Sequence, residues 1–264
     1  MNDQHPYALY ALERVKKIRT YRFRSPMFLA LCILATVIAA FSAVSFLITI
    51  ASTAIVGTGF SILAEIIGID LFSAISNLLW LAILLTAIST AAWIFGAVGV
   101  WQLYCAKSEQ EYRYGFFHFK ILLLYIMFSG IFSAACFIYF AASTVIYEYN
   151  MERPDFSVLM MLTLLCVGAA LLCVLLQSRP FYKLNQYVTS LQMTFNTGMK
   201  PYCQLPFVGC LIYGIYLGIM ALSSLFLLGK AINLLELFAT ITDPVFFILL
   251  PFFFKGMNDE IESI

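Results

Sequence analysis

Long apolar runs separated by short polar segments dominate the hydrophobic pattern of this chain. The first run, residues 27–56, contains no Asp, Glu, Lys, Arg or His. At about 1.5 Å rise per residue, a helix of that length is more than enough to cross a hydrocarbon core of about 30 Å. Five further runs follow, and together they predict membrane spans at about residues 27–56, 76–104, 116–146, 156–177, 205–228 and 234–254.

Two segments between these runs are predicted to be helical without crossing. Residues 57–70 carry acidic but no basic residues, and their spaced isoleucines predict a helix lying in the outer interface. Residues 180–198 begin with a proline suited to a helix start and end with a glycine suited to a helix stop. Between them, apolar residues recur at spacings of three and four: Phe181, Leu184, Val188, Leu191 and Phe195. This segment is predicted to be an amphipathic cytoplasmic helix that lies on the membrane or docks against the inner ends of the bundle.

Composition and charge placement support a membrane protein with a defined orientation. The 264 residues are 62% hydrophobic and 11% charged, against about 25% charged in ordinary soluble domains. Of the 15 basic residues, a six-span topology leaves only Arg153 and Lys230 outside. Because basic residues are retained on the cytoplasmic side, we expect both termini to be cytoplasmic. The sequence thus predicts an all-α, polytopic cell-membrane protein, with a basic arm at residues 1–26 and one six-helix transmembrane domain at residues 27–264.

The arm holds a cluster of basic residues just before the first span: Arg14, Lys16, Lys17, Arg19, Arg22 and Arg24. Two interpretations stay open. The arm binds anionic lipid headgroups, or its charges serve only to hold the N-terminus inside, which we favour.

Small residues at helical spacing predict close contacts between helices. They are Gly96, Gly99, Gly130, Ala134, Cys210, Gly214 and Gly218. Such faces serve either packing within the chain, which we favour, or association with a second copy or another membrane protein.

Motifs for catalysis are missing from the sequence. It contains no phosphate-binding loop, dinucleotide-binding glycine motif, zinc-protease motif or nucleophile elbow. Its two histidines stand alone, and the membrane already accounts for the basic arm. We therefore expect no enzyme activity, cofactor, metal site or nucleic-acid partner.

The last apolar run contains an ionisable residue that needs an explanation, Asp243. It lies about 18 Å along a helix from Lys255, deep in the bilayer, where a carboxylate must be neutralised, paired or hydrated. Together with Glu236 and Pro244 it predicts a polar site in a proline-broken helix, as in many transporters. The alternative, which we favour, is that Asp243 caps a helix whose first residue is Pro244.

The order of these features resembles a group of uncharacterised six-span membrane proteins from Firmicutes-type bacteria. The likeness rests on Gly99, Trp101 and Tyr104, on the polar turn after them, and on Phe181-Tyr182-Lys183-Leu184-Asn185 running to Thr197-Gly198. Since that group has no established activity, the resemblance implies a topology and no site.

Two functions are consistent with the sequence. We favour a non-enzymatic accessory or interaction subunit that works through helix contacts in the membrane. The alternative is a small permease or ion-coupled carrier that uses Asp243. A polar cavity reaching Asp243 would favour the carrier, whereas a dry surround of Leu and Phe would favour the subunit.

Overall fold

The computed structural model describes residues 6–67, 71–149, 156–228 and 234–264. This part of the chain is helical apart from short connections and contains no strand, which confirms the all-α prediction. Its helices are α1 (Pro6–Phe23), α2 (Pro26–Ile67), α3 (Leu71–Cys105), α4 (Glu109–Tyr149), α5 (Phe156–Leu172), α6 (Arg179–Thr197), α7 (Phe207–Leu228) and α8 (Leu234–Glu262). A π-helical turn, Cys173–Ser178, joins α5 to α6.

Five helical stretches of the described residues are long and apolar enough to cross a membrane. They are Pro26–Ala54, Trp80–Cys105, Glu109–Ser143, Leu159–Thr197 and Thr240–Glu262. A shorter apolar stretch, Phe207–Ser223, lies in α7, where the fifth span is predicted. By length and composition, the chain is a multi-pass membrane protein.

The helix predicted in the outer interface does not form a separate element. α2 continues from the first apolar run to Ile67 without a break. A glycine inside a helix costs only about 1 kcal/mol relative to alanine, so Gly57 and Gly59 do not end it. The last part of the predicted segment, residues 68–70, lies outside the described residues.

α6 begins one residue before the predicted start, with Pro180 in its first turn, but it is not a separate helix, because α5 runs through the π-helical turn into α6. In this turn the backbone N–H of Arg179 donates to the carbonyl of Val174, five residues earlier. Proline has no N–H and its ring clashes with the carbonyl four residues before it in an α-helix. A wider turn just before Pro180 relieves that conflict. The predicted helix end is confirmed, since Gly198 adopts φ 75° and its N–H donates to the Thr194 carbonyl at 2.8 Å.

The amphipathic prediction for α6 is confirmed. Phe181, Leu184, Val188, Leu191 and Phe195 are all buried. Phe181 packs edge-on against Phe247 of α8, and Phe195 contacts Phe116 of α4. This helix therefore docks inside the bundle through its apolar face.

The arm is helical, and α1 packs into the bundle around Phe23. This side chain is 0% exposed. Rings from four other helices surround it at centroid distances of 4.8–6.4 Å: Phe28, Tyr112, Phe116, Phe195 and Phe253. One residue of the arm thus connects α2, α4, α6 and α8.

Ion pairs fasten the same region. Arg19, only 6% exposed, donates two hydrogen bonds to Glu109, at 2.7 and 2.9 Å. Its guanidinium also lies over the ring of Tyr112, 4.0 Å from the centroid. Arg22 pairs with Glu260 near the end of α8. We call this region the packed end: α1, the connection at residues 106–108, and the C-terminal ends of α6 and α8.

The predicted small residues lie mostly at helix crossings within the chain. A Cβ added at Gly99 would lie 2.6 Å from the backbone nitrogen of Phe119, so α3 and α4 touch backbone to backbone. Gly96 is equally close to Leu122, Gly130 to Ser178, and Gly214 to Ile248. Ala134 and Cys210 are buried, whereas Gly218 has only Pro244 nearby, at 3.8 Å. Packing within the chain accounts for these contacts.

Replacing Phe23 by alanine should destabilise the packed end. Loss of a fully buried ring typically costs about 3–5 kcal/mol, because the transfer free energy is lost and a cavity remains. Phe23→Ala should therefore lower the free energy of unfolding by that amount in denaturant titrations of the purified protein. Tyr10→Ala is the matched control, since Tyr10 lies on the same helix and is exposed. Equal losses in both variants would contradict the role given to Phe23.

Candidate functional site

Asp243 lies inside α8, nine residues after its first residue, and does not cap a helix. α8 continues through both Pro244 and Pro251, so the capping interpretation is wrong, and so is the prediction that proline breaks this helix. Proline inside a membrane helix is tolerated when neighbouring groups compensate for the missing backbone hydrogen bond. The carboxylate is therefore held by a continuous helix in the middle of an apolar segment.

Asp243 lines a cleft of about 230 Å³ where α2, α3 and α8 meet. Serine and threonine dominate the lining, which consists of Ile38, Phe41, Ser42, Ser45, Thr86, Ser89, Thr90, Thr242 and Asp243. The surround of Asp243 is polar rather than a dry packing of Leu and Phe. A polar surround is the one expected for a carrier, and a dry surround is the one expected for an accessory subunit.

Two hydroxyl groups of the cleft donate their protons to backbone carbonyls. Thr90 Oγ1 donates to the Ser42 carbonyl at 2.9 Å and so joins α3 to α2. Thr86 Oγ1 donates within its own helix, to the carbonyls of Ala82 and Ile83. A hydroxyl that donates its proton still has lone pairs with which to accept or to coordinate. These oxygens can therefore turn partial negative charge toward the cleft.

The charge of Asp243 has no counterpart within the described residues. No basic side chain there forms an ion pair with it, and its carboxylate accepts no hydrogen bond from them. An isolated carboxylate in a membrane must be neutralised, paired or hydrated. The cleft is many times larger than the roughly 10–15 Å³ that one water molecule needs. It has room for water and a small cation beside the carboxylate.

Three helices place the cleft at a similar depth. At about 1.5 Å per residue, Asp243 is about 18 Å from Lys255, Thr90 about 22 Å from Cys105, and Ser42 about 24 Å from Pro26. Each distance runs from the packed end into the apolar part of the bundle. The cleft thus lies within the thickness of a hydrocarbon core.

The other two residues of the predicted polar site have different outcomes. Pro244 directly follows Asp243 in α8 and is buried. Glu236 belongs to the same helix, two turns before Asp243, but its side chain lies outside what the structure describes. Pro244 therefore lies next to Asp243 in the chain but outside the cleft lining, near Gly218 of α7, and Glu236 stays a prediction.

The hydroxyl residues of the cleft were not among the predicted site residues. They recur three or four positions apart within apolar helices, Ser42 with Ser45 in α2 and Thr86 with Ser89 and Thr90 in α3. That spacing puts them on one face of each helix. This polar stripe within apolar spans was the available signal.

Comparison with known proteins adds no relative to this description. No family model matches the chain, and neither a curated protein nor a solved structure matches it. Within the described residues, no group of three or more His, Cys, Asp or Glu side chains forms a metal site. The geometry of the cleft is therefore the basis for a function.

Water in the cleft is testable by cysteine labelling. In a background without native cysteines, Ser42→Cys should react with a water-soluble thiol reagent, because residue 42 lines the cleft. Val44→Cys is the control, since this exposed apolar residue of the same helix lies outside the cleft lining. Equal labelling of the two positions in liposomes, or labelling of residue 44 alone, would contradict a hydrated cleft.

Proposed function

We propose that this protein is a small ion-coupled membrane carrier whose cation site is the cleft at Asp243. The observation that carries the proposal is an unpaired carboxylate among six hydroxyl-bearing residues, inside helices long and apolar enough to span a membrane. Carboxylate and hydroxyl oxygens are suitable ligands for small hard cations, and a carboxylate also carries a proton. Carriers place coupling-ion sites near the middle of the membrane, which is the depth of this cleft.

Binding in this site would involve three helices. A cation held by Asp243 of α8 and by oxygens of α2 and α3 draws these helices together, and its release leaves an uncompensated carboxylate between them. Occupied and empty states therefore favour different helix arrangements. That difference is what coupling of ion binding to a conformational change requires.

The proposal includes six crossings, with both termini in the cytoplasm of a bacterial cell. α7 supplies the crossing beyond the five long apolar stretches: its 22 residues extend about 33 Å, enough for a hydrocarbon core. An even number of crossings agrees with the position of α1 and the end of α8, which meet at the packed end through Arg22 and Glu260. The basic residues concentrated there support a cytoplasmic packed end.

Labelling from outside intact cells tests this topology. In a cysteine-free background, Glu65→Cys and Glu152→Cys should react with an impermeant thiol reagent. Glu111→Cys should not react, because it lies beside the connection at residues 106–108 on the packed end. Reaction at residue 111 in sealed cells would reverse or rule out the proposed orientation.

The carrier is tested by replacing the carboxylate with its neutral isostere. Asp243→Asn keeps size and hydrogen bonding but cannot bind a proton or neutralise a cation. In liposomes, the wild-type protein should take up Na⁺ or H⁺. Uptake by the Asp243→Asn variant should fall to background. Asp259→Asn is the matched control, since it makes the same change at an exposed position of α8 outside the cleft, and it should retain the wild-type rate.

Two results would contradict the carrier. If Asp243→Asn takes up cations at the wild-type rate and unfolds at the same temperature, Asp243 is not the cation site. A folded wild-type protein without uptake across a panel of cations and solutes would remove the function.

The second candidate is the membrane-embedded accessory subunit, supported by α5. This helix packs mainly against α4 and the π-helical turn. Much of its apolar surface is exposed, including Met160, Met161, Leu164, Leu165, Leu171 and Leu172. Gly168, on the same helix, has no atom near the position of an added Cβ. Either lipid or a helix of another protein would cover this surface.

A further inference from the structure

The packed end divides the basic residues of the arm into two sets. Lys16, Arg19 and Arg22 pair with acidic side chains, and of these three only Arg19 is buried. Arg19 and Lys16 share Glu109, and Arg22 uses Glu260. These three residues hold the arm to α4 and α8, so their charge is already compensated within the protein.

The other three basic residues of the arm have no acidic partner in the described part of the chain. Arg14, Lys17 and Arg24 are exposed, and Arg14 lies over the ring of Tyr10 at 5.7 Å. Lys17 and Tyr21 lie four positions apart on one face of α1, and Arg24 directly follows the last residue of that helix, with its N–H donating to the Thr20 carbonyl. This face is different from that of Val15, Arg19 and Phe23, which are buried.

Lys17 and Arg24 border a groove of about 550 Å³ where α1 meets α2. Its lining consists of Lys16, Lys17, Thr20, Tyr21, Arg24, Ser25 and Pro26. No acidic side chain is among these residues. The groove is therefore electropositive, and its polar side chains include hydroxyl groups next to the cations.

The position of the groove indicates what kind of anion it meets. Pro26 is both part of its lining and the first residue of the first membrane-spanning stretch. Tyr21 is 69% exposed, and tyrosine is enriched where headgroups meet the apolar core. A phosphate beside Lys17 and Arg24 would thus lie at headgroup level, directly above the acyl chains that contact α2.

We propose that this groove binds the phosphate headgroup of an anionic phospholipid in the leaflet next to the arm. Lys17 and Arg24 contact the phosphate, and Tyr21 lies at the boundary with the acyl chains. The inference is independent of the carrier proposal, because it involves a different surface and no transport. It also differs from retention of the arm by charge alone, which depends on the number of basic residues and not on their positions.

The experiment compares two double variants of the full-length protein that lose the same charge. Lys17→Gln with Arg24→Gln removes the groove cations. Lys107→Gln with Arg113→Gln removes two exposed cations at the same end of the bundle, outside the groove. Phosphatidylglycerol is titrated onto each purified protein in detergent, and bound lipid is counted by native mass spectrometry, with phosphatidylcholine as the neutral reference.

We expect the groove variant to bind phosphatidylglycerol about 30-fold more weakly, corresponding to about 1 kcal/mol per cation. The control variant should bind like the wild type, and none of the proteins should prefer phosphatidylcholine. Unchanged binding in the groove variant, or equal weakening in both variants, would overturn the site. Competition by inorganic phosphate at the same concentration would overturn its assignment to a lipid.

Discussion

The aromatic and ionic contacts around Phe23 and Arg19 determine how the helices of this protein are arranged at one end. Phe23 brings rings of α2, α4, α6 and α8 together, and Arg19 binds Glu109 at the start of α4. Edge-to-face and tilted ring pairs add about 0.5–1.5 kcal/mol each beyond the burial of their surface. A charged arm, which by composition alone would be a solvated tail, thus becomes part of the core.

Away from the packed end, the helices are less closely packed. Residues of α2, α3 and α8 near the packed end are buried, whereas apolar residues farther along α2 and α3 are exposed, such as Leu47, Ile48 and Leu84. Lipid solvates such side chains without cost, so they need no partner within the chain. The cleft at Asp243 lies where the close packing ends, which explains how a polar cavity persists between otherwise apolar helices.

The sequence was sufficient for the class of fold, because membrane helices are specified by long apolar runs that need no tertiary information. It was insufficient at the boundaries. Pro180 carries a valid helix-start signal, and only the π-helical turn before it allows the helix to continue. The apolar run at residues 27–56 predicts a helix. Whether that helix continues beyond Gly57 depends on the small free-energy cost of glycine in a helix, which the hydrophobic pattern does not reveal.

The candidate site was only partly predictable for a related reason. Asp243 was visible as a charge in an apolar run, yet its capping and interior positions have the same local sequence. The hydroxyls of α2 and α3 became relevant only when Thr90 was seen to bond to the Ser42 carbonyl across the helix crossing. Which faces of distant helices meet is tertiary information, and a single sequence does not contain it in readable form.

The continuity of α5 and α6 has a mechanical consequence. The stretch Leu159–Thr197 is 39 residues long, about 58 Å of helix, with no flexible linker between its exposed and buried halves. Its far end places Phe195 against Phe23. As long as this stretch stays straight, a tilt of its exposed half must move Phe195 and so disturb the aromatic cluster around Phe23.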